Sequence, residues 1–280
     1  MNLKSILQRA FSGAIYAGII IGCLYLGSYA VIALAAVFGC LAVVEFTKIT
    51  SGGSLHGRMT STVIDCLGVL AVILAFLSIA GESVIMQWAI CIIIVLVRCV
   101  QQLYLKSEDP VRELSLSMMK YCYIGVPLGC MAALGNAEFS HHFILAIFLM
   151  IWINDTGAFL VGCTFGKHRL FERLSPKKSW EGFFGGLVFT CALAYLFSRN
   201  THLYFGLPAD PVLWIGLGVV VTVFATWGDL MESMIKRSLQ IKDSGHIMPG
   251  HGGILDRIDS LLFVMPASAI YAYIYLTLTT

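Results

Sequence analysis

From Ala14 to Val44 the chain runs without a single charged residue. A helix that crosses a bilayer needs about 20 mostly apolar residues, so this stretch is long enough for a pair of spans. Similar runs recur along the chain, and nine candidates stand out: roughly 12–28, 29–46, 62–80, 83–100, 119–135, 142–164, 183–199, 211–228 and 260–278. The composition points the same way, with 58% hydrophobic and only 12% charged residues and a mean hydropathy of +0.85. A soluble domain carries about a quarter charged residues. Half of that cannot cover a water-exposed surface, so the missing solvent is lipid.

The expected fold class is therefore all-α, a polytopic integral membrane protein with about nine transmembrane helices. Residues 1–280 read as one membrane domain. Within it, 1–140 supply helices without motifs, and 141–280 supply the catalytic helices and cytoplasmic loops. Lys4 and Arg9 precede the first apolar run much as in a secretory signal. No small-residue cleavage site follows, so the reading is an uncleaved hairpin of two spans with a tight turn near Gly27–Ser28.

Cations orient such a chain, because Lys and Arg accumulate on the cytoplasmic side. With nine spans and the N-terminus inside, every Lys and Arg except Arg199 falls in or beside an inner segment. The C-terminus then lies outside. The outer connections, Gly81–Ser83, Gly135–His141 and Asn200–Asp210, are short and poor in charge. The inner ones at 165–182 and 229–259 are long and charged, which places the chemistry at the cytoplasmic face. The net charge of +2 adds little, and nothing suggests a nucleic-acid partner. The nine cysteines lie mostly inside apolar runs without C-x-x-C spacing, as small core residues do.

Much of the chain's charge gathers near its C-terminal end. Asp229, Glu232 and Lys236 are spaced i, i+3, i+7, which sets them on one stripe if the helix continues past Gly228. Lys242-Asp243 follow, then Pro249-Gly250-His251-Gly252-Gly253, then Asp256-Arg257-Ile258-Asp259. Carboxylates beside Lys and Arg at the ends of membrane helices suit a magnesium–phosphate site: oxygen ligands hold the hard cation, and basic groups hold phosphate oxygens. The two glycines after His251 permit close backbone approach, so amides can face an anion.

A second constellation runs from Asn154-Asp155-Thr156-Gly157-Ala158 through Gly162 and Phe165-Gly166-Lys167-His168 to Ser175-Pro176-Lys177-Lys178-Ser179-Trp180-Glu181-Gly182. Asp155 lies well inside an apolar helix, where an ionisable group is costly and by default functional. Lys177 and Lys178, with Ser175, Ser179 and Glu181 alongside, read as a polyphosphate-binding loop. Asp65, near the inner end of the third span, reads as a carboxylate snorkelling to the interface.

These motifs resemble the phosphatidate cytidylyltransferase (CDP-diacylglycerol synthase) family. The resemblance rests on Ser233, Lys236-Arg237, Lys242-Asp243, Pro249-Gly250-His251-Gly252-Gly253 and Asp256-Arg257-Ile258-Asp259, and on the Asn-Asp-Thr-Gly-Ala and Ser-Pro-Lys-Lys-Ser-x-Glu-Gly segments. It is strongest from 150 to 260, and the first hundred residues carry no motif. The resemblance implies transfer of CMP from CTP to phosphatidate, giving CDP-diacylglycerol and pyrophosphate, with Mg2+ and room for a second cation. It implies Asp229 and Asp256 as metal ligands, with Asp155 and Asp259 as further candidates. Lys236, Arg237, Lys242 and Arg257 would neutralise phosphates, Asp243 and His251 complete the catalytic set, and Lys177, Lys178, Ser179, Ser233, Gly252 and Gly253 would bind substrate. It also suggests a homodimer, while the compact size points to a bacterial inner membrane and the cations put the active site on its cytoplasmic face. A secondary transporter and another lipid-phosphate transferase are the alternative readings.

Overall fold

The computed structural model describes residues 3–52, 58–77, 84–136, 141–199, 208–245 and 252–279, and for 3–10 and 141 the backbone only. Almost all of this is helix: α1 (Leu3–Leu26), α2 (Ser28–Thr50), α3 (Met59–Leu77), α4 (Val84–Tyr104), α5 (Pro110–Lys120), α6 (Val126–Asn136), α7 (His141–Phe165), α8 (Trp180–Ser198), α9 (Pro211–Ser238) and α10 (Leu255–Thr279). A single antiparallel hairpin, β1 (Arg169–Phe171) with β2 (Ser175–Ser179), joins α7 to α8. Helices are what apolar stretches must form in lipid, where each backbone amide has to find its partner within the segment.

Among the described residues, seven helices are long and apolar enough to cross a membrane: α2, α3, α4, α7 from His142, α8, α9 and α10. This is the architecture of a multi-pass membrane protein. The two other expected spans are shorter pieces. The run at 12–28 falls in the apolar part of α1, Phe11–Leu26, which turns into α2 at Gly27 with φ of 98°. The run at 119–135 spans the end of α5, a π turn at Tyr121–Gly125, and α6. Most of the expected outer connections lie outside the described residues.

The chain divides into two compact units, Met1–Asn136 with Asp243–Arg257, and Ala137–Lys242 with Ile258–Thr280. In the first, α3 packs against α2, α4 and α6. Phe38, Val43, Phe46, Val69, Ile73 and Leu128 are buried there. Gly39 lets helices approach closely, since a Cβ at that position would stand 2.9 Å from a Val69 methyl.

Asp65 corrects the expectation of a snorkelling carboxylate, because it is only 1% exposed. Lys120 Nζ stands 2.5 Å from its Oδ2 and Arg98 Nε 3.4 Å from its Oδ1. The hydroxyls of Ser117 and Tyr121 donate to it at 3.1 and 3.2 Å. Arg98 in turn donates to Ser117 at 3.0 Å and to Gln102 at 2.8 Å. Gln102 donates to Glu113 at 3.0 Å, and Glu113 pairs with Arg58 at 2.9 Å. Apolar spacing cannot reveal that two cations from α4 and α5 come to this acid. Once they do, burial no longer leaves an uncompensated charge.

In the second unit, α8 lies against α7 and α9. The α7–α8 seam is built on small residues: a Cβ at Gly182 would meet the Ala158 carbonyl at 2.9 Å, and one at Gly186 would meet Asn154 Oδ1 at 2.5 Å. The Gly182–Gly186 spacing is the small-x-x-x-small pattern of close membrane helices. Helix α9 opens on Asp210, whose carboxylate accepts from Val212 N at 2.8 Å with Pro211 in the first helical position. The Tyr275 hydroxyl also donates to Asp210. These bonds, Tyr275's first, hold the Asp210 carboxyl below the usual carboxylate range.

Candidate functional site

Helix α9 does continue past Gly228, to Ser238. The condition for one stripe of Asp229, Glu232 and Lys236 is therefore met. Gly228 is where α10 comes closest: a Cβ there would stand 2.7 Å from the Asp259 carbonyl and 3.1 Å from Ser260 Cα. The Ser260 hydroxyl fastens the same crossing by donating to the Ala225 carbonyl at 3.2 Å. Absence of a side chain at 228 thus brings Asp259 up to the polar end of α9.

At this crossing Asp229, Glu232 and Asp259 each offer a carboxylate oxygen, and the three oxygens lie within 4.8 Å of one another. Glu232 is fully buried and pairs with Lys236 at 2.5 Å. Asp229 pairs with Lys178 at 2.7 Å and accepts from the Ser233 hydroxyl at 3.2 Å. Asp259 accepts from the Ser260 amide at 2.6 Å and feels the negative charges of Asp229 and Asp155. Carboxylates this close repel unless a proton or a cation comes between them. An all-oxygen, triply acidic donor set fits a hard divalent cation, which takes Asp and Glu oxygens at about 2.0–2.6 Å.

Beside the acids opens a cleft of about 830 Å³, counting its open mouth. Its polar wall is Asn154, Asp155, Lys177, Lys178, Ser179, Thr226 and Asp229; its apolar wall includes Phe159, Leu170 and Phe183. A pocket with a polar side and an apolar side suits a molecule with the same two faces. Lys178 reaches from β2 to Asp229 and also approaches the Thr226 carbonyl at 3.4 Å.

The segment expected to be a polyphosphate loop is the β hairpin, and its lysines are held by a braced frame. Glu181 accepts from the amides of Lys167 at 3.1 Å and His168 at 3.2 Å, and pairs with His168 Nδ1 at 2.6 Å. Ser179 is the N-cap of α8, accepting from Gly182 N at 3.1 Å. The first turn of α8, whose amides form the positive end of a helix dipole, therefore lies on the cleft that holds Lys177 and Lys178.

A family model described as the cytidylyltransferase family matches residues 7–275. The chain belongs to the cytidylyltransferase family. The phosphatidate cytidylyltransferase of Staphylococcus aureus (strain COL) is 40% identical to it over 167 residues, 58% of this chain and 60% of the relative. Those of Staphylococcus saprophyticus and Staphylococcus epidermidis are 39% and 37% identical over 163 residues, with the same coverage. The chain thus matches about three fifths of the length of these relatives.

In this cytidylyltransferase-family chain, the second unit gathers Asp155, Lys177, Lys178, Ser179, Asp229, Ser233, Lys236 and Asp259 of the residues singled out from the sequence. Arg237 sits at the exposed end of α9, 3.4 Å from the Ile241 carbonyl, and Lys242 is exposed. The first unit holds Asp243, Gly252, Gly253, Asp256 and Arg257. There Asp256 Oδ2 accepts the amides of Ser244 at 3.0 Å and Gly253 at 2.8 Å. Gly252 has φ of 83°, and a Cβ on it would run into that same oxygen. Arg257 is exposed. His251, with Pro249 and Gly250, lies outside the described residues.

Two acids, Glu232 and Glu45, carry no assigned role in the sequence reading. Glu232 counted only as one position of a stripe, yet it is the third carboxylate of the cluster. Asn154, singled out with Asp155 in the Asn-Asp-Thr-Gly-Ala segment, lines the cleft beside it. Glu45, on α2, is 2% exposed, and its Oε2 accepts from Leu255 N at 2.7 Å. Its signal was present as an acid within an apolar span.

Proposed function

We propose that this chain is a phosphatidate cytidylyltransferase, which transfers CMP from CTP to phosphatidate and releases pyrophosphate. One observation carries the reading: a membrane helix crossing that gathers Asp229, Glu232 and Asp259, paired with Lys178 and Lys236, in a member of the cytidylyltransferase family. The likeness to Staphylococcus proteins named phosphatidate cytidylyltransferase supports the choice of phosphatidate as acceptor.

The chemistry asks little of the protein beyond placement and charge. A phosphate oxygen of phosphatidate attacks the α-phosphorus of CTP, the bond to the β-phosphate oxygen breaks, and pyrophosphate leaves. The attacking oxygen is already anionic at neutral pH, so no strong general base is required. Catalysis is then positioning and neutralisation of phosphate charge. When bound, a divalent cation, Mg2+ in our reading, would supply positive charge to the phosphate oxygens. Asp229 and Asp259 with Glu232 would hold it, and Asp155, on the wall of the cleft, is the candidate ligand for a second cation. Lys178 and Lys177 face the cleft to receive phosphate oxygens, and the first turn of α8 adds amide dipoles of the same sign. Phe159, Leu170 and Phe183 offer a surface for acyl chains. For Arg237, Lys242, Asp243, His251, Gly252, Gly253, Asp256 and Arg257, a share in phosphate or cation handling is supported by the sequence resemblance.

We further propose the topology read from the cations: one membrane domain of about nine spans, the N-terminus and active site on the cytoplasmic side of a bacterial inner membrane, working as a homodimer. The test uses purified full-length protein in detergent with labelled CTP and phosphatidate. CDP-lipid and pyrophosphate should form in equal amounts, only with a divalent cation present. Product formation that survives chelation removes the cation from the scheme, and substrate-coupled solute flux in liposomes without CDP-lipid replaces the enzyme with a transporter.

A further inference from the structure

Glu45 plays no part in the scheme above, yet its surroundings are specific. The side chain leaves α2 in the first unit and is 2% exposed. Its Oε2 accepts the amide of Leu255, the first residue of α10, at 2.7 Å. Its Oε1 occupies the place where a Cβ on either Gly245 or Gly253 would fall. One carboxylate therefore touches backbone at both described ends of the connection that leads into α10. Asp256 grips the same two ends, through the amides of Ser244 and Gly253.

An acid buried in a membrane helix is expensive unless it is used. Glu45 meets a helix's first amide, one of the donors that have no partner inside the helix, at the end where negative charge is favoured. The glycines are equally pointed: at 245 and 253 a side chain would displace the carboxylate. Backbone, acid and missing Cβ atoms form one fitted unit around the turn that carries Asp256.

We propose that Glu45 is a positioning residue, which holds Gly245 and the Gly253–Leu255 backbone in the arrangement that presents Asp256, without touching substrate. The inference rests on the function proposed above for its catalytic consequence only. Hydrogen–deuterium exchange on the full chain in detergent, without substrates, tests the holding itself. Glu45→Ala and Glu45→Gln should speed exchange at the Gly253 and Leu255 amides and leave peptides of α7 and α8 unchanged. In the transferase assay, kcat should fall on the order of 10²-fold, the size of effect expected when a reacting group is misplaced by about 1 Å. KM for CTP and for phosphatidate should change little.

Gly245→Ala, which inserts a Cβ where Oε1 lies and whose nearest neighbours are all atoms of Glu45, should reproduce both effects. In a Glu45→Ala background it should add little, because the group it collides with is gone. Unchanged exchange at 253 and 255 in Glu45→Ala overturns the proposal. So does faster exchange throughout α2, α3 and α4, which would make Glu45 a general packing residue, and so does an additive double variant. A wild-type protein inactive with CTP and phosphatidate sinks the functional reading instead, and the exchange results still decide the role of Glu45.

Discussion

Asp65 and Asp259 are both acids on apolar helices, and their surroundings are built on opposite plans. Around Asp65 the first unit places two cations and two hydroxyls, and the chain of bonds runs on through Gln102 and Glu113 to Arg58. Every charge there is answered by protein. Around Asp259 the second unit places two more carboxylates within 4.8 Å and lets a wide cleft open beside them. A closed ion network stabilises one conformation of the protein that contains it. Around Asp259, Lys178 and Lys236 balance only part of the charge of three gathered acids, which is the arrangement expected of a site that binds and releases a charged ligand.

This contrast can be broken by substitution, and the largest effect should come from the closed network. Asp65→Asn leaves Arg98 and Lys120 buried without their counter-ion, and losing one partner of a buried pair costs about 3–5 kcal/mol. Thermal unfolding in detergent should show a large drop, with activity per folded molecule kept. Replacing the acid and both cations together by Leu, Met and Met should be far milder, because no charge is left stranded. A triple variant as unstable as the single one would mean that the network does more than satisfy itself.

The open cluster should behave in the reverse way. Asp259→Asn removes one repelling charge, so the cation-free protein should unfold at a higher temperature than wild type. The thermal shift on adding Mg2+ should disappear, and turnover should fall by about 10²- to 10³-fold, as when one preorganised electrostatic group is lost. A variant that loses stability without Mg2+ and keeps its Mg2+ response would place the acids with Asp65 as structural.

Asp210 supplies a third, nearly exposed case, and the smallest effect. Its folded pKa lies below the ordinary carboxylate value because Tyr275 and Val212 donate to it. The stability it adds is therefore present above the unfolded pKa, about 3.9, and fades as pH falls through the lower folded value. Melting curves of wild type and Asp210→Asn should differ slightly at pH 6 and converge toward pH 3. A gap that widens on acidification reverses the sign and rejects the assignment.

How much of the site was legible follows from where its residues sit in the chain. Asp229 and Asp259 announced themselves as acids at the ends of apolar runs, and the stripe with Lys236 needed only that α9 continue past Gly228. Lys177 and Lys178 were visible as a basic pair, though the hairpin that holds them was not, since its bracing by Glu181 depends on amides folded back from Lys167 and His168. Glu232 was visible as one position of the charged stripe, but its full burial and its approach to Asp259 are set by the tertiary structure. The α7–α8 seam could have been found from the Gly182–Gly186 spacing. Asp65 was misread, because the cations that meet it come from helices far along the chain.

By itself the sequence determined the solvent, the helical content and the kind of chemistry. Hydrophobic length and scarce charge leave a chain no other medium than lipid, and costly polar residues survive there mostly for function. Only the tertiary structure decided which acids gather with other acids and which are enclosed by cations and hydroxyls. Charge interactions depend on distances between helices, set by the presence or absence of a Cβ at Gly228, Gly253 and Gly186, and a linear pattern holds no such distances.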